Sequence, residues 1–167
     1  KAIDFYDAKN GILVGMSVGY EDTDLDTKFN LGNLDASGFI AAPYVSYTFK
    51  KMFSVDASIG YARIEYDQDR LDPATNEKFT STDTDANRYF GTLNLNANKT
   101  FKKVTIGGTI GGLVSVEDRD SFVETGTTGA TRTTASQSTK IGQGRFGVNA
   151  GLNLGKFNPY AKAVGVY

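Results

Sequence analysis

The stretch GILVGMSVGY, residues 11–20, decides how this chain is read. Extended as a strand, it places Ile12, Val14, Met16, Val18 and Tyr20 on one face and Gly11, Leu13, Gly15, Ser17 and Gly19 on the other. The first face suits hydrocarbon, and the second suits a crowded, wet interior. The acids Glu21, Asp22, Asp24 and Asp26 follow at once. Seven stretches of the chain alternate in this way, and the connections between them switch between short Lys-bearing turns and long acidic segments. The pattern predicts an all-β, antiparallel up-and-down transmembrane β-barrel.

Composition narrows the alternatives. The 167 residues are 40% hydrophobic but contain no apolar run near the ~18 residues that a helical span needs. A strand-only membrane protein has to close, because hydrocarbon offers no water to satisfy a sheet edge. A negative mean hydropathy agrees with this, since half of each strand faces the lumen. With no Cys there is no basis for a disulfide or a thiolate metal site, and with no His the commonest general base and metal ligand is missing. A net charge of −1 gives nucleic-acid binding no support. No G-x-S-x-G elbow occurs, so the sequence predicts no enzyme, no cofactor and no metal site.

The other strands are expected at Ser37–Phe49, Phe53–Tyr66, Asn87–Asn98, Val104–Val116, Gly144–Leu154 and from Asn158 to Tyr167. Outward residues include Phe39, Val45, Tyr47, Val55, Ile59, Leu93, Leu95, Ile106, Ile110, Phe146 and Val148. The opposite faces are mostly Gly, Ser, Thr and Asn. Lys50 with Lys51, Lys99 with Lys102 and Lys103, and Gly155 with Lys156 mark short basic turns. Segments 21–36, 67–86 and 117–140 are expected as long loops, which orients them outward from the cell and the turns toward the periplasm.

On this orientation the first and last strands both rise, so a descending strand is expected beyond Tyr167, and Ile3 and Phe5 alternate as the remnant of one before Lys9. Residues 1–167 are therefore expected to be a single barrel domain, incomplete at one or both ends, with about seven or eight strands present. No signal peptide precedes Lys1, as in a mature or excised segment.

A family resemblance adds to this reading. GILVGMSVGY followed by EDTD resembles the autotransporter β-domain, whose strands often end in Gly-Tyr and an acidic loop. DASGF (35–39) leading to PYVSY (43–47), VDASIGYAR (55–63) with Tyr66-Asp67, QS (137–138) leading to GVNAGL (147–152), and FNPYAK (157–162) are similar to its middle and later strands. The resemblance covers most of the chain. It implies a twelve-stranded barrel in the bacterial outer membrane, anchoring an N-terminal passenger and translocating it across that membrane. The partners implied are membrane lipid and lipopolysaccharide, the outer-membrane assembly machinery and the protein's own passenger segment.

The residues expected to line the lumen are Asp56, Asn94, Asn96, Asn98, Arg145, Asn149, Asn153 and Lys162. Asn94, Asn96, Asn98, Asn149 and Asn153 could contact a threaded segment, although lumen amides more often bond one another and water. Asp56, Arg145 and Lys162 are expected to form an ion-pair network that locks the barrel. Asp67, Asp69 and Asp72 do not follow a calcium-loop spacing and are expected to be solvated. Tyr and Phe are expected as interface belts. Substitution of Val14 or Leu95 by Arg should destabilise, while Asn96→Ser should be nearly silent.

Two other architectures fit the same alternation. A small eight-stranded outer-membrane barrel of structural or adhesive role would result if residues 1–6 supplied the missing strand. A soluble lipocalin-like ligand-binding barrel would need the apolar face turned inward. That inversion would put small polar residues outside and large ones inside, against their sizes.

Overall fold

A computed structural model describes residues 1–167 except 8, 29, 30 and 156. Among the described residues every regular element is a strand: β1 (Ala2–Asp7), β2 (Ile12–Thr27), β3 (Gly32–Phe49), β4 (Phe53–Leu71), β5 (Lys78–Phe101), β6 (Val104–Arg119), β7 (Phe122–Gly126), β8 (Thr131–Thr134), β9 (Gln137–Leu152) and β10 (Tyr160–Val166). They form one antiparallel sheet in the order β1-β2-β3-β4-β5-β6-β9-β10. Each wall strand pairs with its neighbour along the sheet, as alternating sequences joined by short turns favour.

Register sorts the faces. Val14 pairs with Val45, Val45 with Ala57, Ala57 with Leu93, and Leu93 with Gly112, so these residues share the outward surface. Outward side chains such as Val14, Ile59, Ile110, Val114 and Phe146 are about half or more exposed. Such a continuous apolar surface belongs in lipid, and it rules out the inverted, lipocalin-like arrangement. Two aromatic belts bound it. Tyr20 meets Phe39 edge-on with ring centroids 5.1 Å apart, and Tyr61 lies 5.2 Å from Tyr89. At the other end Tyr47, Phe49 and Phe53 stack at 5.9 and 5.5 Å.

The basic turns sit beyond this second belt. Lys50 and Lys51 both have positive φ, 51° and 52°, and the N–H of Met52 donates to the Phe49 carbonyl at 3.3 Å. This is the tight turn whose twist matches a hairpin. Around Lys102 the turn joins Phe101 directly to Val104. The turn expected at Gly155 and Lys156 falls partly outside the described residues, because Lys156 is among those not described.

The long loops are corrected by the structure. Residues 21–27 pair with 32–38, so the acidic segment after Tyr20 continues both strands past the belt. Likewise Gln68–Leu71 pair with Lys78–Ser81 beyond a register shift near Tyr66. In the third segment β7 continues the line of β6 along β5, with Phe79 opposite Gly126, and β8 turns back along β7. A strand of 24 residues such as β5 far exceeds the ~9–11 that cross a bilayer. The many Asp residues, which strands disfavour, mask strand character in the sequence, because the pairing there is supplied by the neighbouring strand.

The sheet is strongly curled but open. Among the described residues β1 pairs with β2 and β10 with β9, and β1 does not pair with β10. The closed eight-stranded alternative is therefore not the arrangement seen.

Candidate functional site on the inward face

The inward face is built from residues that alternate with the lipid-facing ones. In the half nearer the short basic turns, Ser46, Asp56 and Asn94 lie opposite one another on β3, β4 and β5. The Asp56 carboxylate accepts hydrogen bonds from the Ser46 hydroxyl and the Asn96 amide. Asn96 Nδ2 also donates to Ser54 Oγ at 3.1 Å, and its Oδ1 accepts from Thr109 Oγ1 at 2.7 Å. One amide thus links β4, β5 and β6. Farther along, Asn149 Nδ2 donates to Asn98 Oδ1 at 3.3 Å. Gly107 lies between those two strands, and a Cβ there would fall on both amide oxygens, so the close approach requires glycine.

Asp56, Asn94, Asn96, Arg145 and Lys162 line one concavity of about 240 Å³, together with Thr109. The expected ion-pair network is not formed: among the described residues neither Arg145 nor Lys162 pairs with Asp56, and Arg145 Nε has no hydrogen-bond partner. The hydroxyls and amides beside Asp56 satisfy it, while the two cations face the cavity. Asn153 stands apart, just past the end of β9, where its Oδ1 accepts from the Gly155 N–H at 3.1 Å. It belongs to the turn, because the strand stops before the alternation would carry it to the wall.

Toward the outer end the inward face is bridged. Arg88 Nε donates to Glu117 at 2.8 Å, and Tyr66 donates to the other oxygen of Glu117 at 2.9 Å. Arg88 also reaches Glu21 on β2 at 3.2 Å. Two strands separate β2 from β5, and flat strands at ~4.8 Å spacing would hold such groups too far apart. The bond therefore requires the curl. Beneath it Ala62, Ile64 and Ala86 are fully buried. From the sequence, Glu21 and Glu117 are expected in the acidic loops and Arg88 is not singled out. Alternation does put Arg88 inward beside outward Tyr89, but its partners depend on register.

Beyond the outer belt, β7 and β8 fold over Phe79, which is 2% exposed. The guanidinium groups of Arg132 and Arg70 lie 4.5 and 5.8 Å from its ring centre. Glu124, 3% exposed, accepts from Arg70 at 2.6 and 2.8 Å and from Gln68 at 3.2 Å. The Arg70 hydrogen bonds hold its carboxyl below the usual range, against the opposing effect of burial. Arg132 pairs with Asp72, whose carboxyl is also lowered, first by the Ala74 N–H. Asp69 pairs with Lys78 at 2.7 Å, and Asp67 accepts from the Asp83 N–H at 2.8 Å. Asp72, expected as solvated, thus fastens the β4–β5 hairpin to β8, whereas Asp69 and Asp67 bridge the two strands of their own hairpin and Asp67 stays exposed.

A family model, the autotransporter β-domain, matches residues 3–167. Among solved structures, the translocator domain of autotransporter NalP from Neisseria meningitidis is similar in fold, with a TM-score of 0.85 at 13% identity. The alignment covers 99% of this chain and 57% of that one. No curated protein sequence matches the chain.

Proposed function

Since this chain belongs to the autotransporter β-domain family and is a β-barrel domain of the bacterial outer membrane, we propose that it forms part of the barrel through which its own passenger segment is anchored and exported. The observation that carries this reading is the two-sided sheet. Its outward face is apolar between aromatic belts, while its inward face is a curled polar wall. In this reading residues 1–167 are one domain whose free edges, β1 and β10, pair with further strands toward twelve. The chain spans 57% of the NalP translocator domain, consistent with such additional strands.

Asp56, Asn94, Asn96, Asn98, Arg145, Asn149 and Lys162 are then the wall that an extended passenger meets. Amides and hydroxyls can exchange hydrogen bonds with a moving peptide backbone without a fixed sequence preference. Arg145 and Lys162, unpaired with Asp56, would set the charge of that path. The partners are lipopolysaccharide and membrane lipid on the outward face, and the assembly machinery during insertion. The reading assigns the domain no catalysis.

The test uses the full-length protein in Gram-negative outer membranes. Unboiled samples should migrate as a compact, detergent-resistant band that shifts on boiling to a mass well above 18.0 kDa. Protease added to intact cells should reach the passenger. A heat-shifted band of about the size of this chain, with no surface-exposed passenger, would overturn the export reading. Recovery in the soluble fraction would overturn the membrane reading as well.

A further inference from the structure

Five lysines gather at the end of the sheet where the short turns lie. Lys50 and Lys51 join β3 to β4, and Lys99, Lys102 and Lys103 lie where β5 turns into β6. The two hairpins stand side by side. The Asn98 N–H donates to the Met52 carbonyl at 2.7 Å, so β5 runs on past the β3–β4 turn and carries Lys99 alongside it. No Asp or Glu occurs in residues 36–55 or 86–116. All five lysines are exposed, and among the described residues none of them makes an ion pair. The result is a patch of one sign on a chain whose net charge is −1.

Lys99 fixes where this patch meets the membrane. It pairs with the exposed Ile106, which puts it on the lipid-facing side of β5. There its ammonium lies 5.0 Å from the centre of the Phe101 ring, two residues nearer the turn. A cation on that face is stable only where the hydrocarbon ends, and a lysine stem laid along an aromatic ring reaches that boundary. Tyr47, Phe49 and Phe53 stack beside it on β3 and β4. The patch thus begins at headgroup height, next to rings that contact acyl chains.

Ammonium groups without a carboxylate, at the edge of an acyl-chain surface, match headgroups that carry net negative charge. A zwitterionic headgroup brings its own ammonium and gains little there. The other end of the sheet has the opposite sign, because outward Asp24, Asp35 and Asp67 lie in register across β2, β3 and β4. We propose that Lys50, Lys51, Lys99, Lys102 and Lys103 hold anionic phospholipid, of phosphatidylglycerol or cardiolipin type, in the periplasmic leaflet around the barrel.

The inference rests on the outer-membrane placement proposed above, with the short turns toward the periplasm. Full-length protein purified in detergent would be mixed with phosphatidylglycerol or phosphatidylethanolamine of the same acyl chains, and retained lipid measured by native mass spectrometry. Phosphatidylglycerol should be the better retained, and less so as salt rises. Lys51→Gln, Lys99→Gln and Lys102→Gln should each weaken its retention about fivefold, the size of one lysine's attraction to an anionic surface, while the heat-shifted band persists. Lys28→Gln, in the connection between β2 and β3 at the other end, should change nothing. Equal retention of the two phospholipids would overturn the proposal with the barrel intact. So would turn variants that lose no more lipid than Lys28→Gln. Labelling of Lys51→Cys on intact cells by a membrane-impermeant maleimide would put the turns outside and overturn the leaflet assignment. A native protein without a heat-shifted band would overturn the membrane placement itself, and the lipid site with it.

Discussion

Leu95 and Asn96 are adjacent in sequence and opposite in fate. Leu95 is half-exposed on the lipid face, so Leu95→Arg near mid-membrane should cost ~2–4 kcal/mol in detergent-to-lipid refolding titrations. Asn96 faces inward and joins Asp56, Ser54 and Thr109. Alternation alone marks Asn96→Ser as nearly silent. The geometry instead predicts a loss of about 1–3 kcal/mol in the same titration, because the shorter side chain leaves Asp56 and Thr109 without their amide partner. Gly60 makes the complementary point. A Cβ there would strike the Phe90 ring, so Gly60→Ala should cost roughly 1–3 kcal/mol, whereas Gly142→Ala should be tolerated.

At the scale of elements, the strands outrun the membrane and their outer ends interlock. The β7–β8 hairpin is held by Glu124 to Arg70 and by Asp72 to Arg132, and both acids have lowered carboxyl pKa values. A depressed folded-state pKa means the contribution is fully present above the ordinary carboxylate range. It is lost as pH falls through the lowered folded value, below roughly pH 4. Proteolysis or hydrogen exchange within residues 120–136 should therefore accelerate on acidification, and Glu124→Gln should be fast already at neutral pH. The trend has a local opponent. Asp24, Asp35 and Asp67 face one another across β2, β3 and β4, and the Asp35 carboxyl is raised by burial and by these like charges. That hairpin should gain stability on acidification, so a whole-protein melting curve would mix opposite slopes.

For the whole molecule, the curl is the feature that turns eight wall strands into one side of a barrel. Arg88 ties β5 and β6 to Glu21 on β2 across the concave surface. Arg88→Ala should leave Glu117 and Glu21 without their cation and lower the temperature at which the heat-shifted band appears. Arg88→Lys should restore only part of this, since one ammonium cannot span both carboxylates as the guanidinium fork does. An unchanged transition would show that strand pairing alone sets the curvature.

Period-two alternation determined the membrane-spanning parts of the wall strands and their lipid side, and the short Lys-bearing connections marked the tight turns. A strand's side chains must alternate, and a bilayer admits apolar residues on one side alone. Asp56, Asn94, Asn96, Asn98 and Asn149 could therefore be assigned inward from their neighbours. Alternation says nothing about which residue on the next strand lies opposite. That is why the network expected among Asp56, Arg145 and Lys162 gave way to hydroxyl and amide partners, why Asn153 fell into a turn, and why the Arg88 bridge went unseen. The acidic segments looked like loops because Asp, Asn and Gly, which strands disfavour, interrupt them and no apolar face alternates through them. Only tertiary pairing, each hairpin supplying the next one's hydrogen bonds and buried counter-charge, makes them sheet.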